Sequence, residues 1–209
     1  MLRNIFLAVM LFLLAACVST EERNPYTAQI AQLDSDYRAG KIAAADYYAY
    51  RNKLSTQNGE WQASMERAAI RNSINEVLRE TALCRIEAEK ANLSGRNPAK
   101  IAGWLTMQMQ QIDTTRCPAD FRGAYQKHID SVERYYEILS NRSVADDVGP
   151  LVIAFGQALS GDASGAYSAI SSAAGQDRMR RDELNERLRY MGETWRDVRG
   201  VAIRYGANP

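Results

Sequence analysis

Few side chains in this 209-residue chain have the types and spacing needed for chemistry, and they are best weighed first. His128 is the only histidine, and Asp130 and Ser131 follow it closely. A hydrolase needs an imidazole between a nucleophile and a carboxylate. On one helix the i+2 and i+3 neighbours point in the wrong directions for that arrangement, and His128 shares an apolar stripe with Tyr125 and Val132. A packed, hydrogen-bonded core histidine is the expectation. One histidine and three cysteines (Cys17, Cys84, Cys117) supply little for a catalytic metal. Nucleotide-binding glycine loops, a GxSxG elbow, HExxH and CxxCH are absent from the sequence. The acids Glu60, Glu66, Glu76, Glu80, Glu87 and Glu89 fall on outer helix faces, whereas a glycosidase acid needs an apolar pocket. No catalytic residue, cofactor or metal is expected, and the reading is non-enzymatic.

The cysteines carry a different message. Met1-Leu2-Arg3-Asn4 is a short basic start, Ile5 to Leu14 is apolar, and Ala15-Ala16 are small residues before Cys17. Such a run is shorter than the ~20 residues that span a bilayer as a helix. Leu14-Ala15-Ala16-Cys17 resembles the lipobox of bacterial lipoproteins. The resemblance implies cleavage after residue 16 and acylation of Cys17, with the acyl chains as the membrane contact. Val18 stands where lipoproteins kept in the inner membrane usually have aspartate. The implied location is therefore the bacterial outer membrane, facing the periplasm. In that oxidising compartment Cys84 and Cys117 form an even pair, and a disulfide is expected. Closing a loop of about 34 residues would stabilise the fold by roughly 3–4 kcal/mol.

The elements around these residues read as helices throughout, so the expected fold class is all-α: an N-terminal helical hairpin and an antiparallel, disulfide-stapled bundle. The expected division is 1–16 signal peptide, 17–25 lipidated tether, 26–57 hairpin and 58–209 bundle. In the hairpin, Ile30, Leu33 and Tyr37 mark one face, Gly40 ends the first helix, and Ile42 to Leu54 form the second. Leu33, Tyr37, Gly40-Lys41-Ile42, Asp46-Tyr47 and Leu54 resemble the SHOCT (short C-terminal domain) motif, although here it lies near the N-terminus. That resemblance implies a two-helix module that mediates association. Tyr47, Tyr48 and Tyr50 are the candidate partner contacts, with hairpin core as the alternative role.

Asn58-Gly59 reads as a turn before a helix from about residue 60 to 93, with Ile70, Ile74, Val77, Thr81, Cys84, Ala88 and Ala91 inward. Pro98 starts the next helix, carrying Ile101, Trp104, Leu105 and Ile112. Pro118 starts another, with Phe121, Tyr125, His128, Val132, Tyr135 and Leu139. Residues 143–176 hold five of the 13 glycines and read as a connection with one short helix. The last helix repeats Leu184, Leu188, Met191, Trp195, Val198, Ala202 and Tyr205 in steps of four and three. Such a seam serves either the bundle core or a partner helix.

With 26 basic and 25 acidic side chains the chain lacks the surplus positive charge of a nucleic-acid binder. The expected function is a membrane-anchored adaptor or accessory subunit of a cell-envelope assembly, with an envelope protein as partner. The alternatives are a small-molecule or saccharide-binding lipoprotein, a peptidoglycan-acting enzyme, or a self-associating structural lipoprotein.

Overall fold

The computed structural model describes residues 24–93, 98–140 and 178–209. The leader, Cys17 and the segment 143–176 lie outside the described residues, as do the side chains of Leu139 and Leu184. The described chain is all-α, with five helices: α1 (Pro25–Arg38), α2 (Ala44–Leu93), α3 (Pro98–Gln111), α4 (Ala119–Ser140) and α5 (Arg178–Arg204). It divides into two compact units, the first ending at Glu66 and the second beginning at Arg67.

In the first unit Asn24 caps α1 by accepting from the Tyr26 N–H at 3.0 Å, and Pro25 occupies the first turn, where a missing N–H costs nothing. Gly40 ends the helix as its sequence position implies. Its φ of 70° lets the Gly40 N–H reach the Tyr37 carbonyl and the Lys41 N–H reach that of Asp36, the paired bonds of a Schellman cap. Asn58-Gly59 is not a turn. Both residues lie inside the 50-residue α2, because a glycine with ordinary φ weakens a helix by only about 1 kcal/mol and does not end it. Asn58 is instead used sideways: its Oδ1 accepts from Asn24 Nδ2 at 2.6 Å, tying the start of α1 to α2.

The second unit is a bundle of residues 67–93 of α2 with α3, α4 and α5. The direction of each helix can be read from its contacts. Cys117 meets Ser73, and Tyr125 meets Thr81, so α2 and α4 run the same way. Gly103, early in α3, faces Tyr136, late in α4, so α3 runs opposite to α4. His128 meets Thr194 while Asp120 meets Arg204 and Tyr205, so α5 also runs opposite to α4. The order is up-down-up-down. The core joins Ile74, Val77 and Leu78 to Ile101, Leu105 and Met109, then to Phe121, Tyr125, Val132 and Tyr135, and to Leu188, Met191, Val198 and Ala202. Each large side chain so buried contributes about 1.5–3 kcal/mol. The 4-3 seam of α5 thus belongs to the bundle core. A glycine is needed at position 103 because the Tyr136 ring passes where a Cβ would stand, 2.9 Å from its nearest atom.

The expected Cys84–Cys117 disulfide is absent: both cysteines are free thiols. Topology explains the correction. Cys117 lies at the start of α4 and its Sγ donates to Ser73 Oγ at 3.6 Å. In an up-down-up sequence the first and third helices are parallel, so the start of α4 sits level with Ser73. Cys84 is eleven residues further along α2, about 16 Å at 1.5 Å per residue, and a disulfide needs Cα atoms within ~7 Å.

Further bonds close the end of the chain. Gly206, with φ 72°, forms a second Schellman motif in which Ala207 bonds back to Ala202 and Gly206 to Ile203. Ala207 is itself buried, and the Asn208 N–H donates to Asn75 Oδ1 at 2.9 Å, fastening the C-terminal residues to α2.

Candidate functional site

The hairpin is held by a polar clamp. Asp34 Oδ1 accepts from the Tyr47 hydroxyl at 2.9 Å and from Arg51 Nε at 3.1 Å, linking α1 to α2 through three side chains. The Arg51 hydrogen bond, then that of Tyr47, holds the Asp34 carboxyl below its ordinary range. The same hydrogen bond to Asp34 pushes the Tyr47 hydroxyl up. Above the clamp the Tyr37 and Tyr47 rings stack with centroids 4.0 Å apart, and Tyr48 packs edge-on against Tyr47 at 5.1 Å. At the loop Lys41 pairs with Asp36, which also accepts from Gln32.

This geometry separates the three tyrosines singled out from sequence. Tyr47 is half-buried and spends its ring and hydroxyl inside the hairpin. Tyr48 and Tyr50 are 60% and 58% exposed and face outward. No residue from 24 to 66 is buried. Ile30, Leu33, Ile42, Leu54 and Trp61 remain half-buried on the hairpin. A two-helix layer covers its seam from one side only, so its apolar residues stay accessible until something packs over them.

The bundle contains the other cluster. His128 is 1% exposed and sits between α4 and α5. Its Nδ1 lies 3.0 Å from Thr194 Oγ1, Ser131 Oγ lies 3.0 Å from the same oxygen, and the Trp195 ring centroid is 5.0 Å away. Ser131 donates to the His128 carbonyl at 2.6 Å and Thr194 to the Met191 carbonyl at 2.9 Å. The two hydroxyl protons are shared among these contacts, and Nδ1 closes the network on Thr194. Burial first, and then the nearby Arg85 cation, push the His128 pKa down to about 4. Asp130 is exposed and accepts from Gln126, so it does not reach the imidazole from the carboxylate position of a triad. The sequence placed His128 in the core but did not show Thr194, which falls beside Met191 and Trp195 of the seam.

A second buried pair joins the Thr81 and Tyr125 hydroxyls at 2.7 Å, and burial pushes the Tyr125 phenol well above its ordinary value. Burial likewise pushes the Cys84 and Cys117 thiols up, which makes the reactive thiolate scarce. At the base of α4, Asp120 accepts from Tyr205 at 3.0 Å and from Arg204 at 3.2 Å; burial raises its pKa, and these bonds outweigh it, leaving the carboxyl below its usual range. Among the described residues no group of three or more His, Cys, Asp or Glu side chains is placed to hold a metal, and no helix is long and apolar enough to cross a membrane.

No family model, curated protein or solved structure matches this chain. The site must therefore be judged on its own geometry. In the bundle, buried Thr81, Tyr125, His128, Ser131 and Thr194 are bonded to one another and to the backbone, whereas the hairpin keeps accessible apolar and aromatic side chains on a defined frame.

Proposed function

We propose that this chain is a periplasm-facing outer-membrane lipoprotein, anchored through acylated Cys17, that serves as a non-enzymatic adaptor of a cell-envelope assembly and docks a protein partner on its hairpin. One observation carries the reading: residues 24–66 form a capped, clamped hairpin in which no residue is buried. Units of about 40 residues or fewer seldom bury enough surface to be stable by themselves. A hairpin that retains Tyr48, Tyr50 and a half-buried apolar seam suits a surface completed by another protein, and tyrosines are favoured anchors there. The Leu14-Ala15-Ala16-Cys17 pattern supports the anchor, and a short polar stretch of about six residues between Cys17 and Asn24 would keep the hairpin within ~25 Å of the lipid.

The test separates contact from folding. Tyr48→Ala with Tyr50→Ala removes the Tyr48 edge contact with Tyr47 but leaves the Asp34–Tyr47–Arg51 clamp in place, so the full-length protein should keep its helicity and the melting of its bundle. In-cell crosslinks to an envelope partner should disappear. Retained crosslinks would overturn the docking surface, and loss of radiolabelled palmitate incorporation on Cys17→Ser should establish the anchor independently.

A further inference from the structure

We propose that His128 is an acid-sensitive latch: its neutral imidazole, joined with Ser131 to Thr194, fastens α5 onto α4, and protonation of the ring releases α5 from the bundle. The placement carries the argument. The chain has a single histidine, and it lies at the centre of the α4–α5 seam rather than at an end. Burial and the Arg85 cation hold the proton off the ring, and they outweigh the hydrogen bond to the Met191 carbonyl, which favours it. Nδ1 is hydrogen-bonded to Thr194, and α5 otherwise presents the Trp195 indole and the Met191 carbonyl. On its own helix the ring is flanked by Ser131, whose hydroxyl meets both the His128 carbonyl and Thr194, and one turn away by Tyr125, bonded to Thr81. From α2 the charged group acting on it is Arg85, of the same sign as an imidazolium. A positive charge on the ring would sit in a site that is 1% exposed. Opening the seam is the way to hydrate it.

The sign follows from linkage. The unfolded chain takes up the proton below the ordinary value of 6.5, whereas the folded ring holds off until about 4. Stability is therefore full above 6.5 and is lost as pH falls, with the folding equilibrium dropping about ten-fold per unit across that window. The carboxyls of Asp113 and Asp120 are held below their ordinary value of 3.8 and change state only in stronger acid. Release would bare the seam of α5, including Leu188, Met191, Trp195, Val198 and Ala202.

The experiment is urea unfolding of the detergent-solubilised full-length chain at pH 6.5 and pH 5.0. The folding constant should fall roughly 15-fold between them. His128→Asn keeps an amide donor for Thr194 but cannot titrate, so its constant should not change over the same interval. An unchanged wild-type constant, or a variant that keeps the full pH dependence, would overturn the latch. The imidazole NMR signal of the wild-type protein decides the matter even if the variant does not fold. It should remain neutral in the native state at pH 5.0, and native-state titration near 6.5 would refute the proposal.

Discussion

The placement of Cys84 and Cys117 makes a quantitative prediction that also tests the direction of α4. If Cys117 sits level with Ser73, bridging it to Cys84 would require α4 to slide about three turns along α2, ~16 Å at 1.5 Å per residue. That slide would break the Thr81–Tyr125 pair and expose Phe121 and Tyr125. Both thiols should therefore survive in an oxidising buffer, and reductant should leave the melting temperature unchanged. A bridge would contribute roughly 3–4 kcal/mol by the loop-closure argument, and single substitution of either cysteine would remove all of it equally. The structure predicts unequal effects instead. Cys117→Ala removes a 5% exposed side chain and its contact with Ser73, costing about 1–2 kcal/mol. Cys84→Ala, at a half-buried site, should cost clearly less. The assay is chemical denaturation of both variants, with peptide mass spectrometry of the native protein digested without reductant. Equal losses near 3–4 kcal/mol, or a crosslinked Cys84–Cys117 peptide, would refute the topology.

Other substitutions probe separate parts of the account. Gly59, Gly123 and Gly200 lie within helices with open space where a methyl group would stand, so Ala at each should stabilise by up to about 1 kcal/mol in thermal denaturation. Gly103→Ala should instead destabilise, because its Cβ would meet the Tyr136 ring at 2.9 Å. Thr81→Val should cost about 1–3 kcal/mol because it strands the buried Tyr125 hydroxyl, Tyr125→Phe should cost less because Thr81 keeps its bond to the Val77 carbonyl, and the double variant should cost less than their sum. Asp34→Ala should loosen the hairpin, seen as faster amide exchange in residues 25–54, without shifting the bundle's unfolding; protection equal to wild type would show the clamp to be incidental.

How much of this was legible beforehand depended on whether the cause was local. Stripes such as Phe121, Tyr125, His128 and Val132 announce a buried helix face because spacing by threes and fours is a local property, and all four are buried. Gly40 was legible for the same reason: a glycine after an apolar helix face is the residue that a left-handed cap requires. Asn58-Gly59 misled because the dipeptide favours turns only when its neighbours allow one. Flanked by helix-forming residues and bonded through Asn58 to Asn24, it continues α2. The disulfide misled because pairing two cysteines by compartment ignores direction along the bundle, which only the order of helices sets. The hairpin's tyrosines were visible as a group, yet their division into Tyr47 inside and Tyr48 and Tyr50 outside depends on Asp34 and Arg51, which are 17 residues apart.

The most direct test of the adaptor reading is in-cell crosslinking of the full-length protein, with capture from the envelope fraction and identification by mass spectrometry. A specific envelope protein should be linked through the hairpin and lost in the Tyr48→Ala, Tyr50→Ala variant. A folded, membrane-anchored protein that yields no crosslinked partner, or a partner attached equally well to that variant, would contradict that reading.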